Sequence, residues 1–182
     1  MGALSVRAWI VGATLLLAGP LVSTQGTVPA RRPDVRFLAT PQSIVDAMLE
    51  LAQVTPADVV YDLGSGDGRI PITAARTFGA RGVGVELDPR LVAESEARAR
   101  REGVDGRVRF VTGDLFEADL HDATVVTLFL LPWMNMDLIP KFRSQLRPGA
   151  RIVAHHFAMG DAWPPDESRD VNGLEIHLWR IR

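Results

Sequence analysis

A short run of glycines and acids is the first place in the sequence where residue type and spacing could do chemistry. Its members are Asp62, Gly64, Gly66, Asp67 and Gly68. Glycines two residues apart allow a sharp strand-to-helix turn and let the backbone approach a ligand that a Cβ would exclude. A plain turn is the alternative. The dinucleotide fingerprint needs its third glycine at position 69, which is Arg69, so the run indicates a nucleoside site and disfavours an oxidoreductase.

Two further acids stand after the next two predicted strands. Glu86 lies 22 residues beyond Gly64, where a carboxylate accepts hydrogen bonds from both ribose hydroxyls of a nucleoside. Asp114 follows Gly113 and precedes Leu115, which suits an adenine amino group with its ring held between apolar side chains. Each acid alone could be a solvated turn residue. Three acids after three successive strands together predict a nucleoside-binding edge of a sheet.

Two adjacent histidines end a later predicted strand. His155 and His156 point to opposite faces of that strand, so they cannot bind one metal ion together. The chain contains no cysteine, which also excludes disulfides, thiolate zinc sites and a catalytic thiol. No metal site is predicted. We expect His156 to face the pocket as a base or polar contact, with a structural histidine as the alternative.

The elements that must position these residues alternate between short apolar strands and amphipathic helices. Strands are predicted at 58–63, 82–87, 108–112, 124–131, 150–157 and 174–181, and helices at 41–52, 70–78, 89–101 and 135–146. Thr40 is expected to cap the first helix with Pro41 in its first turn, and Pro140 to bend the last helix. This alternation predicts an α/β fold, a doubly wound Rossmann-like and mostly parallel sheet with an antiparallel C-terminal edge strand. Ligands of such sheets bind beyond the carboxyl ends of the strands.

The first 30 residues differ in composition from the rest. No charged residue lies between Arg7 and Arg31, and residues 8–22 are almost continuously apolar. The pattern is typical of a secretory signal peptide or an uncleaved N-terminal membrane anchor, and a misassigned start codon or a disordered extension is the alternative. Basic residues after the apolar run would hold the body on the cytoplasmic side of a bacterial membrane, whereas cleavage would export it. The catalytic or binding domain is then expected over residues 31–182.

The overall charge disfavours a nucleic-acid partner. The 182-residue chain has 20 Lys and Arg against 22 Asp and Glu, and its formal net charge is −2. No sequence-wide basic field marks a phosphate-binding surface. One sheet domain is expected to occupy nearly all of the chain after residue 30, which leaves too few residues for a separate substrate-recognition domain. We therefore expect a monomer whose partner is selected by short loops.

Four stretches of the sequence resemble the class I S-adenosylmethionine-dependent methyltransferases. They are VVYDLGSGDGR, GVGVELDP, VRFVTGDLFEADL and ATVVTLFLLPWMN, in matching order and spacing within residues 37–181. The resemblance implies a minimal form of the seven-stranded methyltransferase fold and S-adenosyl-L-methionine as cofactor. The cofactor contacts that it implies are Thr40, Asp62, Gly64, Gly66, Asp67, Gly68, Glu86, Leu87, Asp114, Leu115 and Leu131. Phe37 and Pro41 would join Thr40 as a lid.

A narrower resemblance is carried by FLATP, DLGSGDGR, LFLLPWMN and HHFAMGDAW. These motifs are similar to a bacterial branch related to the mitochondrial lysine methyltransferases of the ATP synthase c-subunit and the adenine nucleotide translocase. This likeness implies a protein-lysine N-methyltransferase with a protein acceptor, and a membrane protein is among the candidates because those relatives act on membrane proteins. The acceptor-side residues that we expect are Pro132, Trp133, Asn135 and His156.

Three alternatives remain open from the sequence. The same cofactor would also serve a small-molecule or RNA acceptor, or the chain could be a nucleoside-binding module without turnover.

Only Pro132 and Trp133 match the Asn/Asp-Pro-Pro-aromatic motif of amino-directed relatives. Asn135 has a second interpretation as the N-cap of the following helix.

Overall fold

The computed structural model describes residues 38–182, and within this range the chain forms a seven-stranded mixed sheet. The strands are β1 (Val59–Leu63), β2 (Arg81–Glu86), β3 (Val108–Thr112), β4 (Val125–Leu128), β5 (Arg151–His155), β6 (Glu167–Val171) and β7 (Leu174–Arg180). The helices are α1 (Gln42–Leu51), α2 (Arg69–Phe78), α3 (Pro89–Arg101), α4 (Pro132–Asp137) and α5 (Ile139–Gln145), with a 3₁₀ turn at Gly160–Ala162. The strand order is β3-β2-β1-β4-β5-β7-β6. The first five strands run parallel and β7 is antiparallel to both neighbours, which confirms the predicted α/β fold.

The strand order reverses at β1, and this reversal defines where a ligand can bind. Leu63 at the end of β1 is in register with Val85 of β2 on one side and with Leu128 of β4 on the other. A crevice opens beyond the carboxyl ends of strands at such a point. We call residues 62–68, 86–88 and 113–116 the β1–β3 rim of this crevice, and residues 129–135 and 155–157 its β4–β5 rim.

Apolar layers cover both faces of the sheet. Met48 of α1 packs in one layer with Val60 of β1. Phe142 of α5 and Trp179 of β7 pack in the other layer with Tyr61. Every residue of β1 and β4 is buried, so burial does not alternate along these two central strands.

The chain after β4 differs from the prediction. The expected strand 124–131 ends at Leu128, and the expected bent helix 135–146 is two short helices that meet at Leu138. Pro132 occupies the first turn of α4 because its fixed φ favours that position. Pro140 has no N–H to bond to Met136, so a continuous helix would lose a hydrogen bond there. Pro132 therefore sets the start of α4, and Pro140 sets the break between α4 and α5.

The C-terminal strands form a hairpin that was only half predicted. The expected edge strand β7 lies inside the sheet between β5 and β6, and the unpredicted β6 is the edge. The β6 sequence ESRDV is polar and mostly exposed, as edge strands often are. The turn holds Asn172 at φ 57° and Gly173 at φ 83°, and an Asn-Gly pair between strands is a strong hairpin signal. This pair could have revealed β6.

The connection from β3 to β4 contains no helix, as expected for a minimal form of the fold. It leaves a groove of about 300 Å³ over β1, β2 and β3, whose walls include Tyr61, Val85 and Val111. The rim residue Asp114 also lines this groove. The loop thus replaces a helical layer at this edge of the sheet.

The predictions for the N-terminal region lie outside the described residues. They comprise the apolar leader or anchor at 8–22, the boundary at residue 30 and the lid contact of Phe37. Within residues 38–182, none of the helices combines the length and the apolar character needed to cross a bilayer.

Candidate active site

The glycine loop between β1 and α2 adopts a conformation that depends on its glycines. Gly64, Gly66 and Gly68 have φ values of 80°, 54° and 73°, in the left-handed region that side chains disfavour. A Cβ on Gly68 would also lie 2.7 Å from the ring of Phe110. The N–H of Gly64 donates to the carbonyl of Val85 at 2.9 Å, which ties the loop to β2. The loop is therefore a fixed backbone surface at the end of β1.

The carboxylate of Glu86 is held at the end of β2 by two backbone donors. The N–H of Gly66 donates to Oε2 and the N–H of Asp88 donates to Oε1, each at 2.9 Å. Asp88 in turn caps α3 by accepting the N–H of Arg90. Each carboxylate oxygen can accept a second hydrogen bond. Glu86 is thus oriented for the ribose hydroxyls before a ligand arrives, with the half-buried Leu87 beside it.

Asp114 and Leu115 stand at the end of β3, next to Glu86. The N–H of Phe116 donates to Oδ1 of Asp114 at 2.9 Å, and the N–H of Gly113 donates to the carbonyl of Glu86 at 2.9 Å. Leu115 is half-buried against the apolar core. The structure therefore brings Glu86 and Asp114 to one rim, as the prediction of ribose and adenine contacts requires.

Asp62 is the buried acid of this rim. It is 4% exposed, and Thr127 Oγ1 donates to its Oδ1 at 2.7 Å. Burial raises the pKa of Asp62 to about 7 although the Thr127 bond opposes it, and the negative charges of Asp67 and Glu86 add to the increase. A cationic group bound nearby would favour the ionised form. The acid is thus suited to a ligand that carries an ammonium group.

Asp67 is engaged in an ion-pair network rather than left open. Arg69 Nη2 lies 2.6 Å and Arg98 Nη1 3.1 Å from its Oδ2. Burial alone would raise the pKa of Asp67, but the bond to Arg69 and the two positive charges outweigh it and lower that pKa. Arg69 Nη1 also donates to the carbonyl of Thr40 at 2.8 Å. Asp67 therefore connects the glycine loop, through Arg69, to the segment before α1.

Thr40 does not cap α1, so that prediction is wrong. Pro41 occupies the N-cap position without a side-chain hydrogen bond. Thr40 is instead buried, with its Oγ1 3.4 Å from Nδ1 of His155. Thr40 does not bond to the helix N–H groups because its carbonyl contacts Arg69 and its hydroxyl contacts His155.

The β4–β5 rim exposes apolar side chains. Leu131 is the N-cap residue of α4 and Pro132 its first residue. Leu131 is 37% exposed and Trp133 is 42% exposed. The Trp133 ring stacks against Phe116 of the opposite rim with centroids 6.4 Å apart. The two rims therefore meet at an apolar contact.

Asn135 is fully buried inside α4, so its interpretation as an N-cap is wrong. Its Nδ2 donates to the carbonyl of Phe157 at 2.8 Å. That bond fixes the amide orientation, because a carbonyl accepts only from the NH₂ side. The Oδ1 atom is buried and has no hydrogen-bond partner among the described residues. An unsatisfied acceptor of this kind is uncommon and requires an explanation.

The two histidines have opposite environments. His155 is 3% exposed and its ring packs 4.1 Å from that of Phe129. Burial, with the nearby His156, lowers the pKa of His155 to about 4. His156 is exposed, has a φ of 70°, and packs its ring 4.4 Å from that of Phe157. Within the described residues, no three His, Asp or Glu side chains form a metal-binding group.

The sequence reasoning selected His156 and missed the position of His155. The sequence held no signal that separates the two, because His155 is buried by the neighbouring strands β4 and β7, whereas His156 follows the strand end. The structure brings the predicted cofactor contacts from Asp62 to Leu115 to the β1–β3 rim. It brings Leu131, Pro132, Trp133, Asn135 and His156 to the β4–β5 rim.

The fold and the β1–β3 rim together define a class I S-adenosylmethionine-dependent methyltransferase. S-adenosyl-L-methionine fits the residues present. They are a glycine turn with positive φ values, the carboxylate of Glu86 held by backbone N–H groups, and the acid Asp114. Residues 62–167 match the model of the ANTKMT methyltransferase domain, and the chain belongs to this family.

Relatives of known type support the same class. The protein-lysine N-methyltransferase of Saccharolobus islandicus is 46% identical over 136 residues, which cover 74% of this chain and 84% of the relative. The lysine N-methyltransferase of the ATP synthase c-subunit from Xenopus laevis is 35% identical over 88% of this chain and 72% of its own. An RNA methyltransferase from Salinibacter ruber, solved with S-adenosyl-L-homocysteine, is 54% identical with a TM-score of 0.77, over 79% of this chain and 94% of its own. The predicted cofactor and enzyme class are confirmed.

Proposed function

We propose that the methyl acceptor is the ε-amine of a lysine in a protein. The observation that carries this proposal is the unpartnered Oδ1 of Asn135, a buried acceptor on the β4–β5 rim that an N–H donor would satisfy. An amine supplies such a donor. The relatives from Saccharolobus islandicus and Xenopus laevis are both described as lysine N-methyltransferases, which favours the same acceptor.

The surroundings of the β4–β5 rim suit the chemistry of amine methylation. When bound, S-adenosyl-L-methionine supplies a methyl group on a positively charged sulfur. The amine lone pair forms the new bond to the methyl carbon while the carbon–sulfur bond breaks and its electron pair stays on sulfur. The lysine must therefore arrive uncharged, and the methylated ammonium then releases a proton to solvent. Apolar neighbours such as Phe129 and Trp133 would lower the lysine pKa, and Asn135 would orient the nitrogen.

The proposal includes a membrane protein as the acceptor. Leu131, Trp133 and Met136 are 37%, 42% and 41% exposed, and such side chains suit an apolar partner surface. The relative from Xenopus laevis is described as acting on the ATP synthase c-subunit. The apolar segment at 8–22 would hold the domain beside such an acceptor, on the cytoplasmic side.

An RNA acceptor is the second candidate, because the solved relative from Salinibacter ruber is described as an RNA methyltransferase. Binding to RNA depends largely on basic side chains that neutralise phosphates. The chain has 20 basic residues against 22 acidic ones, and its formal net charge is −2. Its overall charge therefore favours the protein acceptor.

Transfer of a radiolabelled methyl group from the cofactor tests the acceptor. The full chain would be incubated with membrane, soluble-protein and RNA fractions of the source organism, and the modified residue identified by mass spectrometry. We expect label on a protein lysine, highest in the membrane fraction. The Glu86→Ala chain is the control for label that does not depend on the cofactor site. Label confined to RNA or to small molecules would contradict the lysine proposal, and label confined to soluble protein would contradict its membrane part.

A further inference from the structure

We infer that His155 is a further residue of the acceptor site, whose Nε2 accepts a hydrogen bond from the amine that is methylated. This inference rests on the proposed function, since it requires a nitrogen that carries N–H groups. It concerns His155 rather than His156, the histidine that the sequence pattern favoured.

The position of His155 is the first support. It is the last residue of β5, which pairs with β4 on the β4–β5 rim. The glycine loop, Glu86 and Asp114 occupy the ends of the three strands on the other side of the crevice. A residue at the end of β5 therefore lies on the half of the crevice opposite these three groups of cofactor contacts.

The second support is an unsatisfied nitrogen. His155 is 3% exposed, and its Nε2 is buried without a hydrogen-bond partner among the described residues. A buried polar atom without a partner is costly, so such atoms in native proteins commonly await a ligand or a water. Asn135 Oδ1 is a second atom of this kind on the same rim. A neutral amine has two N–H groups, which is the number needed to satisfy both acceptors.

The third support is the way in which the ring is held. Phe129 packs against it at 4.1 Å, and Thr40 Oγ1 lies 3.4 Å from Nδ1. In the tautomer whose proton is on Nδ1, that N–H donates to Thr40 and Nε2 presents a lone pair. Thr40 is in turn held through its carbonyl by Arg69, which is paired with Asp67 of the glycine loop. Thr40 is thus a positioning residue that links the two rims.

The neutral state of the ring agrees with this role. Burial and the neighbouring His156 lower the pKa of His155 to about 4, so the imidazole is uncharged near pH 7. A neutral ring accepts a hydrogen bond without repelling an incoming ammonium group. A base with so low a pKa would not retain the lysine proton, which therefore leaves to solvent.

Substitution of His155 by Phe tests the inference, because Phe keeps the packing against Phe129 and removes both nitrogens. Steady-state rates with the methylated protein would be compared with those of His156→Phe, which makes the same replacement one residue away. We expect kcat/KM for the acceptor to fall at least tenfold in His155→Phe, by more than in His156→Phe. The melting-temperature increase with S-adenosyl-L-homocysteine should be retained.

A second variant covers the case in which His155→Phe does not fold. Thr40→Val keeps the side-chain shape but removes the hydroxyl from Nδ1, and we expect a lower kcat with a retained cofactor-induced shift. Rescue of part of the activity by His155→Gln, whose amide oxygen is an acceptor, would support the contact. A full rate in His155→Phe or a larger loss in His156→Phe overturns the inference while lysine methylation itself stands. A wild-type chain that labels no lysine overturns the proposed function and this inference together.

Discussion

The two rims of the crevice differ in how completely their polar groups are satisfied. On the β1–β3 rim, both oxygens of Glu86 accept backbone N–H groups, Asp67 is paired with two arginines and Asp62 accepts from Thr127. On the β4–β5 rim, Asn135 Oδ1 and His155 Nε2 are buried without partners among the described residues. The carboxylates of the β1–β3 rim thus have partners before a ligand binds, although Ser65 Oγ in its glycine loop is also buried without a partner among the described residues.

This difference corresponds to two kinds of ligand. A cofactor is the same molecule in every turnover, so a rigid surface whose carboxylates are already held in place binds it at low cost in ordering. An acceptor side chain must enter and leave, and it brings the hydrogen-bond donors that the rim lacks. The exposed Leu131 and Trp133 beside the unsatisfied atoms fit a surface that becomes dry only when the acceptor covers it.

The largest expected effect is on the pH dependence of stability through Asp62. The pKa of Asp62 is about 7 in the folded protein, compared with 3.8 for an exposed aspartate. Between these values the unfolded chain releases the proton and the folded chain keeps it, so the free energy of unfolding falls as pH rises from about 4 to about 7. The shift in pKa corresponds to a change of at most about 4 kcal/mol in the free energy of unfolding, at 1.36 kcal/mol per pKa unit. Urea unfolding of the ligand-free chain and of Asp62→Asn measures it, and equal pH slopes in the two would contradict the assignment.

A smaller effect of opposite sign is expected from His155. Its pKa is lowered from 6.5 to about 4, so the unfolded chain binds a proton in this interval before the folded chain does. The free energy of unfolding therefore falls as pH decreases from 6.5 to 4. His155→Phe should flatten that part of the urea-unfolding profile, and an unchanged slope would show that the ring is accessible to protons.

The rigidity of the β1–β3 rim can be tested with two glycines of similar backbone conformation. Gly68 has a φ of 73° and Gly103 a φ of 68°. A Cβ at Gly68 would lie 2.7 Å from Phe110, whereas a Cβ at Gly103 meets nothing within 4 Å. Both alanine variants share the left-handed strain, so Gly68→Ala should lose about 2 kcal/mol more free energy of unfolding. Equal losses would indicate that the loop can shift.

The smallest effect is expected at Asn135. Asn135→Ala removes the unsatisfied Oδ1 along with the donor to Phe157, so kcat/KM for a lysine acceptor should fall about tenfold. Acceptor kinetics and the melting temperature with S-adenosyl-L-homocysteine measure the two rims separately. An unaltered acceptor rate would remove Asn135 from the acceptor site.

The sequence predicted the β1–β3 rim better than the β4–β5 rim, and the reason is physical. Glycines that need positive φ, and the Asp88-Pro89 start of α3, are local signals that tertiary contacts did not override. The bounds of β3 at 108–112 were also predicted. Family resemblance, rather than periodicity, supplied the cofactor.

The β4–β5 rim depends on contacts between distant residues. His155 differs from His156 only because neighbouring strands bury it, and the role of Thr40 depends on Arg69 and on His155, 115 residues away. Asn135 was assigned to a helix start because its type favours that position, but Pro132 moved the start three residues earlier. Residue type alone does not contain this information.

The most direct test of the division into two rims is a crossed measurement on Glu86→Ala and Asn135→Ala. The melting-temperature shift with S-adenosyl-L-homocysteine and the acceptor kcat/KM at saturating cofactor would be measured for both variants. The division predicts that Glu86→Ala abolishes the shift, because the ribose contact and the support of the glycine loop are both lost, and that Asn135→Ala retains the shift and loses acceptor rate. A retained shift in Glu86→Ala, or a lost shift in Asn135→Ala, would contradict it.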